Sequence, residues 1–341
     1  MAKTPGKHSA NRPQGSPGSE QVQGKVVRNT GAHYVVETAA GRELLCKVKG
    51  NFRIRGIRTT NPVAVGDVVT VTVNEGVEQQ GVEATSWITA IAPRRNYIIR
   101  RASNLSKESH IIAANVDLAV LVVTLAHPTV STTFIDRFLA TAEAYGVTAL
   151  LAINKIDLLE EDPEAMELLD AVTYLYRSIG YDVVHISAAT GKGMDEFRAR
   201  LQGKVSLLSG NSGVGKSTII NDLIPCAEAR TAQISAAHDQ GMHTTTFSEL
   251  YHLPDGCEII DTPGIRGFGT IDFERAHVAH YFPEIFRESK KCRFSDCTHT
   301  HEPGCAVLQA VEDSLIAQSR YASYLSILDD NAAPDKYRKP F

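Results

Sequence analysis

Between residues 22 and 92, apolar and polar positions alternate in short runs broken by Gly31, Gly41, Gly66, Gly76 and Gly81. A period of two puts every second side chain on one face, so the pattern predicts strands over 22–27, 33–38, 44–48, 67–73 and 87–92. Five short strands in about seventy residues fit a small β-barrel of the OB type. From about residue 113 the runs lengthen. Residues 117–124 form an almost continuous apolar run, the mark of a strand buried on both faces. Phe134, Ile135, Phe138, Leu139 and Ala142 recur at helical spacing, with Ser131 or Thr132 as cap and Gly146 as stop, which predicts a helix over 131–145. The series continues as strand 148–153, helix 163–179, strand 182–186, helix 195–201, strand 205–208 and strand 258–260. Strands alternating with helices imply an α/β architecture, a parallel sheet covered on both faces. Beyond Phe286 come a Cys/His-rich knot, a helical stretch over 305–328 and a polar tail with Pro334 and Pro340. Residues 1–20 are rich in Pro, Gly, Ser and Asn and are expected to be a flexible tail.

Composition adds limits. The chain has 341 residues, 43% hydrophobic and 22% charged, ordinary for a globular protein of two or three domains. Its longest apolar run, Leu118 to Ala126 with Thr124 inside it, is far short of the roughly 20 residues a membrane span needs. The first twenty residues carry Lys3, Lys7 and Arg12 but no apolar stretch, so no secretory signal is read there and a cytoplasmic location is expected. The six cysteines then read as thiols or metal ligands.

Charge is uneven. The net −4 divides into +8 over residues 1–112 and −12 over the rest. From Leu44 to Gly66 there is no acid, while Lys47, Lys49, Arg53, Arg55 and Arg58 surround Phe52. An OB-type barrel with a basic, aromatic-bearing loop is a candidate nucleic-acid surface, against a merely solvated basic loop.

Gly210, Asn211, Ser212, Gly213, Val214, Gly215, Lys216 and Ser217 match the phosphate-loop pattern, between an apolar strand and an apolar helix opening with Thr218 and Ile219. Glycines let backbone N–H groups converge on phosphate oxygens at a helix N-terminus. Lys216 is expected on the β- and γ-phosphates and Ser217 on Mg²⁺. Asn154, Lys155, Ile156 and Asp157 follow the strand at 148–153. A carboxylate at the base edge accepts from guanine N1–H and N2–H₂, donors that adenine does not pair in this way. Asn154 can tie this loop to the phosphate loop, and a backbone N–H near Ala188, after Ser187, can meet guanine O6. Together the motifs read as a GTPase.

Asp261, Thr262, Pro263 and Gly264 fit the D-x-x-G switch, and Gly241 to Thr246 holds the other. Thr245 or Thr244 is expected on Mg²⁺ when γ-phosphate is present. The position after D-x-x-G, often a water-orienting Gln, is Ile265. His243 is the candidate for that role, against a structural or RNA-facing role for the same residue. The order is permuted: 154, 187, 210, 244, 261. A permuted chain keeps its sheet if the former ends join at the surface.

Cys292, Cys297, His299 and Cys305, spaced C-x4-C-x-H-x5-C, can complete a closed tetrahedral zinc shell, with His301 a rival ligand by spacing. Cys46, Cys226 and Cys257 lack such company and read as buried hydrophobes.

Over about residues 22–325 these features, in this order, resemble the circularly permuted small ribosomal subunit biogenesis GTPase family. The resemblance implies GTP hydrolysis stimulated by the small subunit, binding of rRNA near the decoding region during late maturation, and one structural zinc. It favours His299 as ligand and places a histidine before the threonine run, as His243 is here. Met242 stands where the family often has Arg. The expected plan is a tail (1–20), an OB-fold barrel (21–93), a permuted GTPase domain (94–285), a zinc-binding helical domain (286–330) and a tail (331–341). A monomer with GTP, Mg²⁺ and Zn²⁺, and no membrane, is expected. An RNA-binding scaffold that merely holds GTP is the rival class, and a P-loop kinase a third.

Overall fold

The structure is a computed structural model that describes residues 19–31, 33–48, 62–74, 86–101, 109–224, 248–253, 255–261 and 273–332. Five strands, β1 (Ser19–Asn29), β2 (Tyr34–Thr38), β3 (Glu43–Val48), β4 (Val68–Asn74) and β5 (Ser86–Ile91), form the barrel. β1 is antiparallel to both β2 and β4, β2 to β3 and β4 to β5, while β3 runs parallel to β5, which closes the ring. Val26, Val36, Leu44, Cys46, Val71 and Ile88 fill the interior. β1 serves two neighbours, pairing with β4 over 19–25 and with β2 over 24–29, and at Gly24 an added Cβ would lie 2.6 Å from Glu37 O. Only glycine lets the two backbones approach that closely.

A hairpin of β6 (Tyr97–Arg101) and β7 (Ser109–Ala114) follows, which the alternation does not predict. A register shift between Ile98 and Ile99 explains why: a bulge breaks the period of two. Arg94 forms a forked ion pair with buried Asp67, 2.6 Å on each oxygen, and also donates to Pro62 O. This seals the barrel onto the segment that leaves it.

The α/β domain runs β8 (Leu118–Val123), α1 (Thr132–Tyr145), β9 (Thr148–Ile153), α2 (Pro163–Ile179), β10 (Asp182–His185), α3 (Met194–Leu201), β11 (Val205–Ser209), α4 (Lys216–Leu223), β12 (Glu249–His252) and β13 (Glu258–Asp261). Caps set the helix ends. Ser131 accepts from Phe134 N and Gly146 turns left-handed after α1; Asp162 caps α2 and Gly180 ends it. The sheet order is β10-β9-β8-β11-β13-β12, all parallel but for β12. The strand that leads into residues 154–157 precedes in the chain the strand that leads into the phosphate loop, so the motif order is permuted on the sheet. β12, unmarked in the sequence, also pairs with β1 at Arg28 and Glu249, so barrel and domain share one 11-stranded sheet.

A 3-10 segment (Arg275–Tyr281), α5 (Pro283–Ser289), α6 (Ala306–Glu312) and α7 (Gln318–Ala332) complete the fold. The helical stretch expected over 305–328 is two helices, because Leu315 N and Ile316 N both return to Ala310 O and Ser314 adopts a φ of 59°. That turn folds α7 back so that Ile316, Tyr324 and Ile327 join a core reaching back to Phe273, Phe282 and Ile285. Arg320 of α7 is 1% exposed and pairs with Glu284 of α5 and Asp136 of α1. Among the described residues no helix is long and apolar enough to cross a membrane.

Candidate nucleotide site and metal centre

The phosphate loop leaves β11 between its neighbours β8 and β13. Gly210, Gly213 and Gly215 all have positive φ, and a Cβ on Gly210 would meet Val122 O at 2.4 Å. Asn211 and Ser212 lie on the loop surface side, and Val214 is buried beneath it. Gly215 precedes α4, whose exposed first turn carries Ser217 and Thr218. Lys216 Nζ donates to Gly210 O at 2.5 Å and Asn211 O at 2.7 Å. Burial lowers its pKa, opposed by the carboxylate of Asp261 at the end of β13.

Asn154 fastens the base-reading loop to this one. Its side chain is buried; Nδ2 donates to Val214 O at 2.8 Å, and Oδ1 accepts from Ala188 N at 3.1 Å. A Cβ on Gly215 would lie 2.4 Å from Asn154 Nδ2, so position 215 requires glycine on space as well as φ. Lys155 takes a left-handed conformation and donates to His127 O at 2.6 Å. Ile156 is buried and donates its N–H to Ile186 O. Asp157 Oδ1 is buried with no hydrogen-bond partner among the described residues. An unpartnered buried carboxylate oxygen is costly unless a ligand supplies a donor. Ser187 is buried, its Oγ accepting from Thr190 N. The structure thus brings the base-reading loop, the 187–188 turn and the phosphate loop to one edge of the sheet. Met242, His243, Thr244, Thr245, Gly264 and Ile265 lie outside the described residues, as do Lys49, Phe52, Arg53, Arg55, Arg58 and Cys226. The contact at His127 is not legible in the sequence, since a backbone acceptor has no residue signature; Thr124 within the apolar run is its nearest signal.

Ahead of α6, Cys292, Cys297, His299 and Cys305 gather ligand atoms within 4.8 Å of one another. Cys292 Sγ and Cys305 Sγ are 3.9 Å apart, and each lies 3.5 Å from His299 Nδ1. Metal bonds of about 2.3 Å to sulfur and 2.0 Å to nitrogen put tetrahedral ligand atoms about 3.5–3.8 Å apart, so the donor set fits zinc. His301 is exposed, bonds Thr300 Oγ1 through Nδ1, and stands outside the group. The loop is built around the ligands. Tyr321 donates to His299 O and Tyr324 to Thr298 O. Burial opposes the charge on Glu302, yet donors from Thr298, Thr300 and His301 hold its carboxyl well below the usual range. Cys46 and Cys257 are buried away from this centre.

Comparison with known proteins agrees with this geometry. The RsgA GTPase family matches residues 91–271, and the RsgA N-terminal domain matches residues 23–81. Small ribosomal subunit biogenesis GTPase RsgA of Bacteroides fragilis is 54% identical over 320 residues, covering 94% of this chain and all of that protein. Its namesake in Porphyromonas gingivalis is 55% identical over 323 residues, covering 94% and 100%. The crystal structure of YjeQ from Thermotoga maritima superposes with a TM-score of 0.72 at 31% identity, covering 92% of this chain and 100% of its own. YloQ, described as a circularly permuted GTPase, superposes with a TM-score of 0.67 at 30% identity, covering 94% and 97%. The chain belongs to the RsgA GTPase family and is a GTP-hydrolysing enzyme of circularly permuted fold.

Proposed function

We propose that the chain hydrolyses GTP as a late maturation checkpoint of the small ribosomal subunit, binding its rRNA in the GTP state and leaving on hydrolysis. The observation that carries this reading is the Asn154 amide, which fastens three loops together beside a buried Asp157 oxygen suited to a base. Asp157 accepts from guanine N1–H and N2–H₂, and Lys155 lays its stem over the base. Ala188 N is engaged by Asn154, so the donor to guanine O6 is a neighbouring N–H of that turn. Backbone N–H groups from Gly210 to Thr218 hold the phosphates, and Lys216 exchanges two carbonyls for phosphate oxygens. Magnesium held by Ser217 and Thr245, or Thr244, neutralises phosphate charge when bound. Asp261 would support the bound magnesium, and Gly264 N–H would meet the γ-phosphate. Ile265 has no proton to give or take, so His243 orients water, and intrinsic turnover is slow. Cys292, Cys297, His299 and Cys305 hold one structural zinc.

The partner is supported by the names of the relatives and by the +8 charge of residues 1–112. The protein works in the cytoplasm as a monomer, its domains divided at residues 21–93, 94–285 and 286–330. Turnover of GTP by the purified chain, alone, with small subunits and with large subunits, tests the proposal. Strong stimulation by small subunits alone is the expected result. Tight GTP binding without stimulation would overturn it and favour the scaffold.

A further inference from the structure

Lys155 is held by a turn that no motif marks. Thr124 stands at the end of β8, the one hydroxyl in a buried apolar run, and is itself fully buried. Its Oγ1 donates to Pro128 O at 2.5 Å, and its carbonyl accepts from Val130 N at 3.1 Å. The two bonds clamp residues 124–130 into a compact turn whose tip meets both nucleotide loops. His127 O accepts from Lys155 Nζ at 2.6 Å. Pro128 lies beside the phosphate loop, its Cδ 3.6 Å from where a Cβ on Gly213 would stand. Behind the tip, Val123 O accepts from Asn154 N at 2.8 Å.

We infer that the turn after β8 is a third wall of the nucleotide site, and that Thr124 is a positioning residue that sets guanine-nucleotide affinity through Lys155. This rests on reading residues 154–157 as the base loop. The physical reason is conformational. A long lysine stem loses rotamer freedom when it lies against a base, and a fixed carbonyl at its far end imposes that loss before the ligand arrives. Without the Thr124 hydroxyl the turn loosens, the carbonyl wanders, and the loss falls on binding.

The test uses the full chain and a fluorescent GDP. Thr124→Val keeps the shape and removes the donor. It is expected to weaken GDP and GTP binding about tenfold, mainly through faster dissociation, with kcat at saturating GTP unchanged. Thr124→Ser should restore wild-type affinity. On a Lys155→Met background the Val substitution should add nothing, because two residues acting through one contact are not additive. Pro128→Gly, at an exposed position, loosens the same turn without touching the core and should show the same loss. Wild-type affinity in Thr124→Val, or an equal loss from Thr124→Val with and without Lys155, overturns the inference. A wild-type chain that fails to prefer GDP over ADP would instead overturn the base-loop reading itself.

Discussion

Asn154 shows how little the nucleotide site needs at the residue scale. One amide, with its donor on Val214 O and its acceptor on Ala188 N, fixes three loops that come from three separate strands. Asp157 beside it has the opposite character, with one oxygen buried and unpartnered among the described residues. Asp157→Asn replaces an acceptor by an amide that presents a donor. GTP affinity should fall about ten- to a hundredfold, the scale of hydrogen bonds to a charged group. A xanthine nucleotide, which carries a carbonyl where guanine has its amine, should regain much of that loss. Competition binding of the two nucleotides reads the exchange; equal weakening of both would mean that the base is read elsewhere. These residues were legible in the sequence because phosphate and guanine impose a spacing on side chains and glycines. His127 was not, since it acts through its carbonyl, and Glu302 was not, since its partners are backbone N–H groups of a loop and one hydroxyl, Thr298 Oγ1.

At the scale of elements, strong periodicity translated into structure and interrupted periodicity did not. Helices α1 and α2 match their caps, Ser131 with Gly146 and Asp162 with Gly180. The bulge in β6, the four-residue β12 and the turn between α6 and α7 each lack a sustained pattern. The last of these matters most, because it is what brings Arg320 back against α1. Arg320 stacks over Phe282 at 4.6 Å and pairs with both Glu284 and Asp136, while Tyr176 donates to the same Asp136 oxygen. Arg320→Met keeps the volume and leaves two buried carboxylates without a cation. Loss of about 3–5 kcal/mol is expected. Thermal unfolding of the variant checks this, and a melting point unchanged from wild type would show that the cluster contributes little to docking the C-terminal helices.

At the scale of the whole molecule, the permuted order explains where the chain begins its catalytic domain. β8 lies at the centre of the sheet, between β9 and β11, so the domain is entered from the middle. The barrel in front of it does not hang free. Lys25 and Arg28 of β1 pair with Glu258 and Glu249 at 2.7 and 2.9 Å, and the backbone pairing of β1 with β12 continues the sheet. Among the described residues, a chain cut between β5 and β6 would therefore leave β12 as the edge of the sheet, without β1 beside it and without Lys25 and Arg28 on Glu258 and Glu249. Edges of that kind recruit strands from other molecules. The truncated protein should associate and precipitate at concentrations where the full chain stays dispersed, which light scattering would register; a dispersed, monomeric truncation would deny the barrel this role. Besides any work it does on RNA, the barrel thus acts as a guard on the open side of the GTPase sheet.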